Sequence, residues 1–240
     1  KTPQGDIVSK TQLNLEVAPS VTSMTAEARP GEKVTIKGQY LNWIKRVTFA
    51  NDKAVDSFVS QSLTELVVTI PDDSQTGPLV LSYSGTEPLN FETADTLKVT
   101  LPLVASFSPN PAKHADNVTL TGTNLDLVKK IYFTGVSDPF TSFVSQSATQ
   151  IVIKVPPATV NGTLTLEAAS GVQTVSAASL NVIMPAVNTM SPNPVDPETN
   201  LTITGTNLDL VSAVLFQNAD PVTTVVSQSA TTMVVKDPQG

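Results

Sequence analysis

A catalytic nucleophile needs a base within hydrogen-bond reach, and this chain offers a single histidine, His114, and no cysteine. His114 falls in the turn-rich stretch before Val118, so it reads as a surface-loop histidine, and no Ser/His/Asp arrangement can be assembled around it without distant partners. Serines recur as SQS at residues 60–62, 145–147 and 227–229. Such repetition suits hydroxyl-to-backbone bonds in a strand-joining turn better than it suits a nucleophile. Asn124, Asp126, Asn207 and Asp209 lie in two GTNLD loops. Calcium would need several converging oxygens, usually more acidic ones, whereas Asn and Asp tolerate left-handed backbone and bond nearby amides, which is their expected role here. Asp72 and Asp73, before Gly77, read as solvated loop charges. With cysteine absent, histidine single and acids scattered, no metal and no organic cofactor is expected, and the chain does not read as an enzyme.

Aromatic rings offer a different chemistry, because an exposed ring can lie against the apolar face of a sugar while polar neighbours meet its hydroxyls. Of the 12 aromatic residues, Phe49, Phe133 and Phe216 share one repeated position and Phe58 and Phe143 another, which marks them as core. Tyr40, Trp43, Tyr83, Phe91, Phe107, Tyr132 and Phe140 remain. Trp43 aligns with Leu127 and Leu210, so a large apolar group fills that position each time and packing is its expected role. Tyr40 stands where Asn124 and Asn207 stand elsewhere. Tyr40 with Trp43 is therefore the local departure that a sugar-binding platform could use, and the pair is the candidate glycan-binding site.

The elements that must position these residues come from an internal repeat. VTIKGQYLN, VTLTGTNLD and LTITGTNLD begin at Val34, Val118 and Leu201, 84 and 83 residues apart, and FVSQSLT, FVSQSAT and VVSQSAT begin at Phe58, Phe143 and Val225. Within each repeat the apolar positions alternate with period 2, as a half-buried strand requires. In the first they are Val34, Ile36, Val47, Phe49, Leu66, Val68, Ile70, Leu79 and Leu81; in the second, Val118, Leu120, Ile131, Phe133, Ile151, Ile153, Val155, Leu164 and Leu166. With 18 Pro and 11 Gly punctuating these runs, the fold class is all-β, in sandwiches of about seven short strands.

Boundaries are expected at Pro19, Pro102 and Pro185, where a fixed φ and a missing amide donor suit an edge strand entering a new sandwich. The expected domains are 19–101, 102–184 and an incomplete 185–240 that lacks its last strands, arranged as an elongated array after a polar tether over 1–18. An open sheet would leave an apolar face exposed, so the native chain is expected to continue past Gly240 into a further domain. The net charge of −7 provides no basic face for nucleic acid. No signal peptide and no membrane span is legible, and any targeting signal is expected before Lys1.

The motifs SPNP (residues 108–111 and 191–194), VTLTGTNLD, SQSATQIVIKVP and NGTLTLEAASG together resemble the IPT/TIG family of immunoglobulin-like, E-set domains, over residues 19–240. That family occurs in Rel-type transcription factors, plexin-like receptors, starch-acting enzymes and bacterial surface proteins. The acidic balance disfavours the first and the lack of cysteine the second. Tandem units rich in Thr, Ser and Asn most resemble the surface glycan-binding lipoproteins of Sus-like polysaccharide-utilisation systems in Bacteroidetes. The resemblance implies a non-catalytic stalk on the extracellular face of the outer membrane. It implies anchoring by an N-terminal lipid absent from this sequence, polysaccharide capture through a domain beyond Gly240, and an outer-membrane glycan import complex as partner. Asp95-Thr96-Leu97 resembles the short O-glycosylation signal of that phylum, which implies Thr96 as a modification site. Accessory modules of an extracellular glycoside hydrolase, or an adhesin with an open unit that accepts a donated strand, are the alternatives.

Overall fold

The computed structural model describes residues 3, 18–84 and 88–238. The stretch 1–18 expected as a tether therefore lies outside the described residues, apart from Pro3 and Ala18, as does Gly240. Strands dominate, and among the described residues no α-helix forms. The chain divides into two compact units: one runs to Leu101 and takes in Ala168–Val172, and the other holds Pro102–Glu167 and the residues from Gln173 onward.

In the first unit Ser20–Met24, Lys33–Gln39, Glu65–Thr69 and Ser60–Gln61 form, in that order, an antiparallel sheet. Glu27–Ala28, Pro88–Val99, Gln75–Ser84, Ile44–Ala50 and Lys53–Val55 form the second sheet, with Glu27–Ala28 parallel to its neighbour. The opening stretch of chain thus contributes to both sheets, which closes the sandwich along one edge. Each of the nine period-2 positions read from the first repeat is at most 2 % exposed. Alternation produces this burial directly, since successive side chains of a strand point to opposite faces and only one face meets the other sheet.

In the second repeat Leu103–Ser108, Asn117–Thr123, Gln150–Lys154 and Ser145–Gln146 make one sheet, and Val128–Tyr132, Thr165–Ala168 and Gln173–Val175 the other. Its nine period-2 positions are at most 3 % exposed. The third repeat reproduces the first of these sheets with Ala186–Ser191, Asn200–Thr206, Thr232–Lys236 and Ser227–Gln228. Opposite it, the described residues add only an isolated bridge between Val214 and Val222. Val187 and Met190 are consequently 56 % and 51 % exposed, where Val104 and Phe107 at the same positions of the second repeat are 0 % and 7 % exposed. Phe216, expected in the core with Phe49 and Phe133, is half-buried: it packs against the small core of Leu201, Ile203, Leu208, Met233 and Val235, but among the described residues no sheet forms around it on its own side of the sandwich.

Candidate functional site

Each repeat leaves its second sheet-forming strand through one short turn. Gly38, Gly122 and Gly205 end the strand where a Cβ would collide with the carbonyl oxygens of Ser20, Leu103 and Ala186, because the first strand bulges inward there. Two residues on, the backbone turns left-handed, with φ of 56° at Tyr40, 55° at Asn124 and 54° at Asn207. A single 3-10 turn follows, over Leu41–Trp43, Leu125–Leu127 and Leu208–Leu210. Its leucine is fully buried and anchors it. The SQS glutamine then clasps it from the neighbouring strand: Gln61 Nε2 donates to the carbonyls of Leu41 (2.9 Å) and Ile44 (2.8 Å), Gln146 to Leu125 and Val128, and Gln228 to Leu208 and Val211. The second serine of each SQS accepts backbone amides, Glu65 N to Ser62 Oγ at 3.0 Å being one case, so these hydroxyls are bound up in turns as their repetition suggests.

Left-handed backbone suits asparagine, whose short side chain keeps clear of the following carbonyl, and costs other L-residues roughly 1–2 kcal/mol. Asn124 and Asn207 meet that demand; Tyr40 does not. Nothing in the turn calls for a ring, since two repeats close it without one. In a 3-10 turn side chains three apart lie over one another, and this brings the rings of Tyr40 and Trp43 to 5.5 Å between centroids at 36°. Trp43, expected to pack, is 37 % exposed, because the turn stands at the end of the sandwich and its inward position is already filled by Leu41. A third residue, Leu63, was not singled out from the sequence. Its carbonyl accepts the amide of Leu41 at 3.0 Å, and its side chain is 50 % exposed. SQSLT against SQSAT was the available signal, since Ala148 and Ala230 take this place in the other repeats. All three departures of the first repeat enlarge apolar surface at one turn.

The other sequence candidates separate from this site. His114 is half-buried and donates from Nε2 to the carbonyl of Thr159 at 2.9 Å. Asp73 pairs with Lys53 at 2.7 Å, which lowers its carboxyl below the usual range, while Asp72 is exposed. Thr96 is exposed on strand Pro88–Val99. Among the described residues no group of three or more His, Cys, Asp or Glu converges as a metal site, and no helix is long and apolar enough to cross a membrane.

An IPT/TIG domain model matches the chain twice in tandem, over residues 19–100 and 102–181. No curated protein matches it. Among solved structures, a crystal structure with xylogluco-oligosaccharide is 19 % identical with a TM-score of 0.37, covering 94 % of this chain and 55 % of that one. The plexin A4 extracellular region is 19 % identical with a TM-score of 0.35, covering 98 % of this chain and 23 % of that one. SGBP-B of the Bacteroides ovatus mixed-linkage glucan utilization locus, in complex with a mixed-linkage heptasaccharide, is 16 % identical with a TM-score of 0.31, covering 88 % of this chain and 69 % of that one. The chain spans about half the length of the first of these and about a quarter of the second.

Proposed function

Because this chain belongs to the IPT/TIG domain family of immunoglobulin-like β-sandwiches, we propose that it is a non-catalytic, glycan-binding stretch of a cell-surface polysaccharide-binding protein. The observation that carries the reading is the Tyr40–Trp43 pair, with Trp43 exposed and Tyr40 half-buried, held on a left-handed turn that asparagine closes elsewhere in the same chain. Strain kept without a folding reason points to a role for the group that is kept. Two tilted rings fit the C–H faces of consecutive sugars, and Leu63, half-exposed and joined through its carbonyl to the amide of Leu41, adds apolar surface to the same turn. In this reading the whole protein is an outer-membrane lipoprotein that captures polysaccharide on the extracellular face for an import complex. Its third repeat is a further module of the same kind, and Thr96 is open to O-glycosylation.

Trp43 is the chain's single tryptophan, so its emission reports this turn alone. Titrating soluble polysaccharides should shift that emission. Trp43→Ala should abolish binding and lower stability by about 1 kcal/mol, below the 3–5 kcal/mol of a deeply buried ring. Glycan binding that survives Trp43→Ala, or a melting temperature that collapses with it, would return Trp43 to a packing role.

A further inference from the structure

On the outer face of the first sheet runs a groove of about 380 Å³, lined by Ser23, Met24, Thr25, Thr35, Lys37 and Glu65. Lys37 and Glu65 are direct partners across the antiparallel pair of Lys33–Gln39 and Glu65–Thr69. Lys37 precedes Tyr40 by three residues and Glu65 follows Leu63 by two, so the Cα of Lys37 lies within ~11 Å of the Cα of Tyr40. Resting on the glycan-binding reading of Tyr40 and Trp43, we propose that rings and groove are one elongated site, and that its ligand is an uncharged hexose polymer lying along strand Lys33–Gln39.

Three observations support it. The groove is lined by groups that can bond sugar hydroxyls: the hydroxyls of Ser23, Thr25 and Thr35, the Lys37 ammonium as donor and the Glu65 carboxylate as acceptor. Thr25 Oγ1 already accepts the Thr35 amide at 3.0 Å, which orients it and leaves its own hydrogen to donate. Secondly, the groove's charged pair is specific to the first repeat. The positions of Lys37 and Glu65 hold Thr121 and Gln150 in the second repeat and Thr204 and Thr232 in the third, so its charged pair occurs only beside the enlarged apolar turn. Thirdly, the charges cancel. A cationic and an anionic group face each other across the strands, and the chain as a whole carries −7, so a polyanionic glycan gains no attraction here and meets long-range repulsion. From Thr35 to its end at Gln39 the strand runs ~14 Å, and Tyr40 follows directly, a span that one oligosaccharide can cover.

Calorimetry with Trp43 emission as a second readout tests this, using neutral disaccharides and hexasaccharides of glucose, mannose and galactose, and a galacturonate hexasaccharide. A matching hexasaccharide should bind at least tenfold tighter than its disaccharide. Lys37→Ala/Glu65→Ala, which leaves no single charge behind, and separately Thr35→Val, should remove that gain while the emission change and the unfolding midpoint persist. If both variants bind the hexasaccharide as the parent chain does, the groove is not part of the site, though the rings remain one. Tighter binding of the galacturonate hexasaccharide would overturn the commitment to an uncharged ligand. No emission change with any sugar would overturn the ring reading and the groove with it.

Discussion

Gly122 and Leu103 meet backbone to backbone, so that a Cβ on the glycine would strike the leucine carbonyl oxygen. The pairing slips by one residue between Val104 and Ser106, which pushes this carbonyl toward the neighbouring strand, and the same contact recurs at Gly38 with Ser20 and Gly205 with Ala186. Gly122→Ala must move one strand to relieve it. A loss of about 1–3 kcal/mol is expected, read as a lower urea midpoint for the second repeat. An unchanged midpoint would mean that the bulge relaxes freely.

The clasp by Gln146 predicts a second loss. Gln146→Leu removes the side-chain donor shared by the carbonyls of Leu125 and Val128 and should cost about 1–3 kcal/mol. Gln146→Glu should be worse at pH 7, because a carboxylate would face two carbonyl oxygens with nothing to donate. Should both variants melt with the parent chain, the clasp is decorative.

At Tyr40 the effect on stability reverses. Tyr40→Asn places in the first repeat the residue that the other two use at the same φ, so the first unit should gain on the order of 1 kcal/mol while glycan binding falls. A variant that is destabilised, or that binds sugar unchanged, contradicts the assignment of strain to function.

Glu167 supplies a pH dependence. Hydrogen bonds from Lys130 Nζ (2.7 Å), Tyr132 OH (2.7 Å) and Gln173 Nε2 (3.0 Å) lower its pKa from 4.5 to about 2. Since the folded value lies below the unfolded one, the stabilisation is present in full above pH ~4.5 and is lost as pH falls toward 2. Unfolding of the parent chain should therefore become easier across that window, and Glu167→Gln should flatten the slope. Parallel slopes for the two chains would remove Glu167 as the cause.

Much of the fold was legible because strand geometry acts locally. Val118 and Leu120, or Ile151 and Ile153, could be assigned to one buried face from alternation alone, since the side-chain period of a strand does not depend on what packs against it. The second serine of each SQS was legible for a similar reason, as its bonds reach only two or three residues along the chain. Gln61, Gln146 and Gln228 were not, because the carbonyls they clasp lie 17 to 21 residues away and become neighbours only after the sheets form.

The sequence by itself determined the all-β class, the tandem repeat, the alternating core positions of the first two repeats and the pairing of Tyr40 with Trp43 as a local departure. Only the tertiary structure decided that Trp43 faces solvent, that Tyr40 sits in left-handed backbone, and that Leu63 joins them. Alignment with Leu127 and Leu210 pointed to packing because it matches residue types, whereas exposure depends on which neighbour already fills the interior. At this turn that neighbour is Leu41, fully buried, and the indole is left at the surface.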